Sequence, residues 1–252
     1  MLTNLKYLSF EINDVCNLTD QHPECPRNAK RFEKSESDQP ITTDDIVRFY
    51  RYCADSQGFS GLVNFHYYNE PLCTKEKMIE IIERLPDARF SLWTNGLLLS
   101  SDYRKNVFLK AFDDVMITIY PYANLSTLAN IRLHYPNVRF QEAHLDHRKD
   151  EDVTPGFNPY ITKCARPDWE LIVDYYGNGH LCCGDWKAEM RIGNILKIDY
   201  EEFLNNWKVW RDRLTKEWDA ESYKSLPKIC KLCLARTPIM GMVSDRDLPA
   251  SK

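Results

Sequence analysis

Cysteine is the residue type in this sequence that most strongly indicates chemistry, because the 252-residue chain contains nine of them. Cys53 and Cys73 stand alone and are predicted to be buried as small apolar residues. The other seven form two groups, Cys16 and Cys25 near the N-terminus, and Cys164, Cys182, Cys183, Cys230 and Cys233 in the C-terminal part. The N-terminus lacks the pattern of a secretory signal, so we expect a cytoplasmic protein with reduced thiols. Clustered thiols in such a protein indicate metal or redox chemistry.

The C-terminal cysteines have a spacing that favours one metal centre. Cys230 and Cys233 form a C-x2-C pair whose thiolates can bind one centre from a single turn, while Cys164 and Cys182 flank a predicted β-hairpin. Four thiolates from three segments suit tetrahedral zinc and a [4Fe–4S] cluster equally well. Cys183 competes with Cys182, because side chains of adjacent strand residues point to opposite faces and only one of the two is expected to reach the metal.

The elements that must position these residues alternate along the first half of the chain. Strands are predicted over 7–12, 61–68, 89–95, 114–120 and 138–145, and helices over 42–56, 75–85, 103–112 and 125–136. Strands that alternate with helices predict βαβ units and a parallel sheet. Five or six units suit a partial (β/α)6 TIM-like barrel, so we expect an α/β core over residues 1–150.

The second half of the chain has a different pattern. A charged stretch that becomes rich in proline and glycine predicts a linker over 151–163. Residues 169–183 predict a β-hairpin with its turn at 177–179, and residues 199–218 predict a helix with aromatic side chains. Residues 164–252 are therefore expected to form a small α+β domain with a hairpin and a helix.

Composition excludes two classes of partner. A formal net charge of −4 gives no general basic field for nucleic acid. No apolar stretch reaches the roughly 18 residues that a membrane span requires. A hydrophobic content of 43% is that of a globular protein, so a soluble domain is expected.

Several motifs, taken in order, resemble those of the radical S-adenosylmethionine (SAM) enzymes. "EINDVCNL" (11–18) is similar to the first strand and cluster loop, "YNEP" (68–71) to the GGEP motif, and "TNG" (94–96) to a further signature of these barrels. Cys25, Pro26 and Asn28 match the usual end of the C-x3-C-x2-C motif. "CARPDWELIVDYYGNGHLCCGDW" (164–186), "IGN" (192–194) and the terminal "CKLC" resemble the auxiliary-cluster module of the family. Its short form, the twitch domain with one cluster, fits better than the longer SPASM form, because no cysteine follows Cys233.

The resemblance implies SAM and two [4Fe–4S] clusters as cofactors. The implied ligands of the SAM cluster are Cys16, His22 and Cys25, and those of the auxiliary cluster are Cys164, Cys182, Cys230 and Cys233. The implied SAM-binding residues are Tyr68, Asn69, Glu70, Pro71, Thr94 and Asn95. A flavodoxin- or ferredoxin-type reductant is implied as well.

His22 departs from the pattern of the family. The loop reads C-x5-H-x2-C, so an imidazole stands where the second thiolate is usual and two extra residues precede it. Imidazole can ligate iron–sulfur iron and raises its potential, which makes SAM cleavage harder. Three roles stay open for His22: a ligand, a hydrogen-bond donor near the cluster, or a loop residue without a metal role. In the last two cases Cys53, Cys73 or a group other than cysteine would be the third ligand, or the cluster would be labile or absent.

The implied reaction is a two-electron oxidation of a small polar metabolite such as a sugar or aminocyclitol. A 5′-deoxyadenosyl radical removes a hydrogen atom from the substrate, and the auxiliary cluster accepts the second electron. Candidates for a base or hydrogen-bonding group near the substrate are His66, His144, His147 and Arg148. Two alternatives remain: a peptide-modifying enzyme that forms cross-links or epimers, and a degenerate, non-catalytic zinc or iron–sulfur protein.

Overall fold

The chain folds around a mostly parallel β-sheet. The computed structural model describes residues 1–22, 25–27, 39–121, 123–143, 163–185, 190 and 192–236. The strands are β1 (Tyr7–Phe10), β2 (Leu62–Asn64), β3 (Arg89–Thr94), β4 (Asp114–Ile119), β5 (Val138–Glu142), β6 (Glu170–Val173) and β7 (Gly179–His180). Their order is β5-β4-β3-β2-β1-β6-β7, and every neighbouring pair is parallel except β6 with β7. The predicted α/β class is therefore confirmed.

Four of the helices lie close to where the sequence predicts them, and the last two were not predicted. The helices are α1 (Thr43–Arg51), α2 (Lys75–Arg84), α3 (Leu125–His134), α4 (Tyr200–Thr215), α5 (Ala220–Lys224) and α6 (Lys228–Arg236). Helix α1 begins at a capping box in which Thr42 and Asp45 bond each other's backbone N–H groups, and it continues as a π-helical turn, Tyr52–Ser56. Among the described residues, no helix has both the length and the apolar character to cross a membrane.

Two predicted elements differ from the structure. The predicted helix over 103–112 is a 3-10 helix, Tyr103–Ala111, with a kink at Asn106, whose side chain bonds the backbone N–H and C=O of Ser100. The predicted strand over 61–68 ends at Asn64, because the Asn64 side chain accepts the N–H of Phe65 at 2.9 Å. In both places a local side-chain hydrogen bond replaces the regular backbone pattern.

The two faces of the sheet have different chemistry. One face packs on the helices through side chains that are fully or almost fully buried, including Leu8, Phe10, Val63, Leu92, Val115, Ile117, Leu171 and Val173. Because side chains alternate along a strand, the intervening residues lie on the opposite face. That face is polar and includes Ser9, Asn64, Ser91 and Glu170. The middle of the sheet therefore carries buried polar side chains on this face.

The C-terminal hairpin belongs to the main sheet. β6 pairs with β1 in parallel and β7 returns antiparallel, after a turn in which Gly177 has a φ of +84°. The first five strands come from residues 1–143, and the sixth parallel strand comes from the C-terminal part of the chain. The edge strands β5 and β7 do not pair with each other in the described part of the chain, so the sheet is open. The partial barrel stays a prediction, as do the separate domain and its linker, of which only Lys163 is described.

Candidate functional site

Glu70 is a buried carboxylate that joins the segments following β2 and β3. Its Oε1 accepts hydrogen bonds from the Thr94 hydroxyl at 2.6 Å and the Leu72 N–H at 3.0 Å, and its Oε2 accepts the Asn95 N–H at 2.8 Å. Burial raises the pKa of Glu70, and these three hydrogen bonds oppose the rise. The carboxylate is thus engaged inside the protein, where it holds the YNEP and TNG segments together.

The other residues of these two motifs also have internal partners. Asn69 accepts the N–H of Tyr67 at 3.1 Å and donates to the carbonyl of Phe65, also at 3.1 Å. Pro71 begins a 3-10 helix, Pro71–Thr74. Gly96, in TNG, has a φ of +72°, a conformation that side-chain-bearing residues rarely adopt. Both predicted SAM-binding segments therefore have defined conformations at the carboxyl ends of their strands.

The loop that carries Cys16 is bound to the segment after β2. The Asn13 side chain donates to the carbonyl of Glu70 at 3.1 Å and to the hydroxyl of Thr74 at 2.7 Å. The N–H of Glu70 donates in turn to the carbonyl of Val15 at 2.9 Å. Because Cys16 follows Val15 directly, these bonds place it at the same sheet edge as YNEP.

Two further cysteines lie close to Cys16. Burial raises the pKa of Cys16 to about 11, and the nearby charges of Glu70, Cys25 and Cys73 contribute to the rise. Burial also raises the pKa of Cys73, whereas a hydrogen bond from the backbone N–H of Asn17 opposes that rise. Three thiols from two segments therefore gather at this edge. The sequence assigned two of them to the cluster and offered Cys73 as one of the alternatives to His22; a further signal for Cys73 is its position two residues after YNEP.

His22 lies in the turns that bring Cys25 back toward the sheet. Its N–H donates to the carbonyl of Leu18 at 2.9 Å, and its carbonyl accepts the N–H of Cys25 at 3.1 Å. The half-buried imidazole ring lies beside the ring of Tyr120, with 6.3 Å between the ring centroids. His22 is thus at the site edge, in contact with the residue that follows β4.

Glu11 anchors this loop to the sheet, a role that the sequence analysis missed. It follows β1 directly, is buried, and forms a salt bridge with Arg27, two residues after Cys25. It also accepts the backbone N–H groups of Tyr68 at 3.1 Å and Tyr175 at 3.2 Å. Burial raises the pKa of Glu11, and Arg27 opposes the rise. Four segments meet at one carboxylate, which fixes the position of the cysteine loop.

The C-terminal cysteines form a second group. Burial raises the pKa of Cys182 well above its usual value, and the neighbouring charges of Cys183, Cys230 and Cys164 add to it. Burial likewise raises the pKa of Cys164 to about 11, with Cys233 and Cys183 among its neighbours. Cys230 and Cys233 are three positions apart on α6, so they lie on one side of that helix. All five thiols are neighbours, and the choice between Cys182 and Cys183 as a ligand stays a prediction.

Arg166 supplies positive charge to the second group. Its pKa is raised first by the charge of Cys183, and Cys182 and Cys164 act in the same direction. A guanidinium at this position partly compensates the negative charge that several thiolates bring together. The sequence analysis did not single out this residue.

The two cysteine groups meet on the polar side of the sheet. Cys25 from the first group and Cys183 from the second both pack against a small cluster formed by Tyr67, Tyr68 and Ile172. The two tyrosine rings lie 4.3 Å apart, and the Tyr68 hydroxyl donates to the carbonyl of Cys183. Both groups therefore border the same cluster of side chains.

The polar face offers hydrogen-bonding groups next to this cluster. Ser9 donates to Glu170 Oε1 at 2.6 Å. Ser91 Oγ and Trp93 Nε1 are buried, and neither has a hydrogen-bond partner among the described residues. His66 lies against Trp93 with 5.6 Å between the ring centroids. The other candidates for a catalytic base, His144, His147 and Arg148, lie outside the described residues.

The comparisons with known proteins agree on one fold. No family model matches the sequence. The chain superposes on the crystal structure of BtrN in complex with AdoMet and 2-DOIA with a TM-score of 0.65, at 20% identity over 90% of this chain and 92% of that one. A crystal structure of BtrN in an open conformation gives a TM-score of 0.61, again at 20% identity, over 91% of this chain and 92% of that one. The chain therefore has the fold of BtrN.

One curated protein is similar in sequence as well. The chain is 24% identical over 242 residues to the S-adenosyl-L-methionine-dependent 2-deoxy-scyllo-inosamine dehydrogenase of Niallia circulans. The match covers 90% of this chain and 91% of the dehydrogenase. The similarity thus extends over nearly the whole length of both proteins.

Proposed function

We propose that this chain is a radical SAM oxidoreductase that oxidises a hydroxyl group of a small polar metabolite, such as a sugar or an aminocyclitol. The observation that carries the proposal is the pair of cysteine groups on the polar side of one sheet, where both border the cluster of Tyr67, Tyr68 and Ile172. Full-length similarity to a SAM-dependent dehydrogenase supports it, as does the fold of BtrN, which was crystallised with AdoMet and 2-DOIA.

Cysteine thiolates are the usual protein ligands of iron–sulfur clusters. Within each group the cysteines are neighbours, yet no three or more ligating side chains of the described residues converge on one ion. A [4Fe–4S] cluster gives each thiolate its own iron atom and so requires wider spacing. Cys16 and Cys25 would hold the first cluster together with a third ligand, for which the sequence offers His22, Cys53 and Cys73. Cys164, Cys182, Cys230 and Cys233 would hold the second.

The proposed net reaction is balanced without an external oxidant. A secondary alcohol and SAM give a ketone, 5′-deoxyadenosine, methionine and one proton, so the alcohol loses the two electrons that SAM gains. The two cysteine groups would hold clusters that supply one-electron chemistry, the first for the reduction of SAM and the second for the removal of one electron from the substrate. A flavodoxin- or ferredoxin-type protein would reduce the first cluster initially.

The protein would contribute orientation and hydrogen bonding. Glu70 and the segments it joins would position SAM at the carboxyl ends of β2 and β3, with Tyr68, Asn69, Pro71, Thr94 and Asn95 around it. The Ser91 hydroxyl and the Trp93 N–H would meet substrate hydroxyl groups, and the Glu170 carboxylate would accept from a substrate hydroxyl or ammonium group. Such a surface suits a substrate with several polar groups.

Anaerobic reconstitution followed by product analysis tests the proposal. We expect about eight irons and eight sulfides per chain, as two [4Fe–4S] clusters require. With dithionite and SAM we expect 5′-deoxyadenosine, and with 2-deoxy-scyllo-inosamine as the probe a product two mass units lighter. The Cys230→Ala/Cys233→Ala variant should still form 5′-deoxyadenosine but should lose the ketone product. Bound zinc without sulfide, or an absence of 5′-deoxyadenosine, would refute the proposed function.

A further inference from the structure

Cys73 lies in a short helix that is fixed to the cluster loop. It is part of the 3-10 helix Pro71–Thr74, and its N–H donates to the carbonyl of Glu70 at 3.1 Å. The next residue, Thr74, accepts a hydrogen bond of 2.7 Å from Asn13 in the loop. The helix and the cysteine loop therefore form one hydrogen-bonded unit.

The thiol of Cys73 points toward this loop. Burial raises the pKa of this thiol, and the nearby backbone N–H of Asn17, the residue directly after Cys16, opposes that rise. The Asn17 side chain in turn accepts the Asn95 side-chain amide at 2.6 Å, which fixes this part of the loop against TNG. Cys73 is half-buried and is not part of a disulfide.

Cys73 and Cys53 differ sharply in their surroundings. Cys53 is completely buried in the helix-covered core, as predicted, and burial alone raises its pKa. Cys73 shares its surroundings with Cys16, Cys25 and Glu70 at the carboxyl ends of the strands. Of these two isolated cysteines, only Cys73 is in a position to bind a metal at the first site.

We propose that Cys73 supplies the third thiolate of the first cluster, together with Cys16 and Cys25, and that His22 lies beside Tyr120 without binding iron. The inference rests on the proposed function, because it assigns a ligand to the cluster at which SAM would bind. A third thiolate would also avoid the rise in reduction potential that an imidazole ligand causes, which favours SAM cleavage. The extra residues in the loop are then consistent with a ligand that comes from a different segment.

Iron content and spectroscopy of single variants test this assignment. In the reconstituted full-length protein, the iron content per chain should fall from about eight to about four in Cys73→Ala, and equally in Cys16→Ala. Both variants should also lose the SAM-dependent change in the EPR spectrum of the dithionite-reduced protein. His22→Ala should retain the irons and the spectral change, and so should the control Cys53→Ala.

A measurement on the unmodified sequence covers the case in which Cys73→Ala misfolds. Cluster-loaded and cluster-free protein are treated with iodoacetamide, and the labelled cysteines are identified by peptide mass spectrometry. Cys73 should be labelled in the cluster-free chain and protected in the loaded one, like Cys16 and Cys25.

The outcomes separate this inference from the proposed function. If the unmodified chain shows the SAM-dependent signal while Cys73→Ala retains it and His22→Ala loses it, the ligand is His22 and the inference is wrong. Labelling of Cys73 in the loaded chain leads to the same conclusion. If the unmodified chain binds no more than about four irons and shows no response to SAM, the proposed function fails and the inference fails with it.

Discussion

Replacement of Glu70 tests whether its hydrogen bonds hold the site together. In Glu70→Gln, one carboxylate oxygen becomes an amide NH₂ group. With the remaining oxygen toward Thr94 and Leu72, this NH₂ group faces the N–H of Asn95, so two donors oppose each other and one buried N–H loses its acceptor. In Glu70→Ala all three donors lose their acceptor.

The expected magnitude follows from the number of donors left unsatisfied. Each buried donor without a partner costs about 1–3 kcal/mol. The amide also removes the cost of burying a charge, which is the reason that the pKa of Glu70 is raised. We therefore expect Glu70→Gln to lower the free energy of unfolding by about 2 kcal/mol and Glu70→Ala by about 5 kcal/mol. These are large fractions of the 5–15 kcal/mol that is typical of folded proteins.

Urea unfolding of the cluster-free chain measures this effect. With a slope of about 3 kcal/mol per M, a loss of about 2 kcal/mol lowers the midpoint by about 0.7 M. The matched control is Glu83→Gln, an exposed glutamate of α2, which should change stability by less than about 0.5 kcal/mol. Equal midpoints for Glu70→Gln and Glu83→Gln would show that the reasoning about the Glu70 network is wrong.

Three further changes probe the substrate face, the hairpin and the TNG turn. Glu170→Gln should raise the KM for an amine- or hydroxyl-bearing substrate by about 10- to 100-fold, while Glu142→Gln at the exposed end of β5 should leave it unchanged. Asp174→Asn should destabilise the chain by about 3 kcal/mol, because Asp174 accepts a 3.0 Å bond from the buried His180. Burial raises the pKa of Asp174, but its hydrogen bonds hold that pKa below its usual value. The stabilisation by Asp174 is therefore present above about pH 4 and is lost as the pH falls through the folded-state pKa. Acid titration of both proteins, followed by circular dichroism, should show this loss only in the protein that has Asp174. Gly96→Ala should lower the melting temperature by several degrees. The φ of Gly96 is +72°, and an added Cβ would lie 2.6 Å from an isoleucine methyl group of β4. An unchanged melting temperature would contradict this reasoning.

The sequence was sufficient for the order of the elements. Alternating apolar runs and helical spacing predicted five parallel strands and most of the helices to within a few residues. The strand over 61–68 was predicted too long, because periodicity does not reveal that Asn64 and Asn69 bond nearby backbone N–H groups. Local hydrogen bonds of this kind depend on the conformation of the chain and not on the pattern of apolar residues.

The candidate site was predicted in part. The motifs indicated Glu70, Thr94 and Asn95, which the structure brings together by direct hydrogen bonds. Cys73 was predicted to be a buried apolar residue and was offered as a ligand only as an alternative, because a lone cysteine has no spacing from which a partner can be inferred. Its proximity to Cys16 depends on the parallel pairing of β1 and β2, and local sequence does not encode which strands become neighbours.

The position of β6 has a consequence for folding during synthesis. The side chains of Ser9 and Glu170 form a hydrogen bond although the two residues are 161 positions apart in the chain. At about 5–20 residues per second, the ribosome needs roughly 8–30 s to extend the chain from one to the other. During that interval β1 has an unpaired edge in the middle of the future sheet, which is a hazard for association with other chains. A chaperone that shields nascent strands would therefore be most useful between the synthesis of β5 and that of β6.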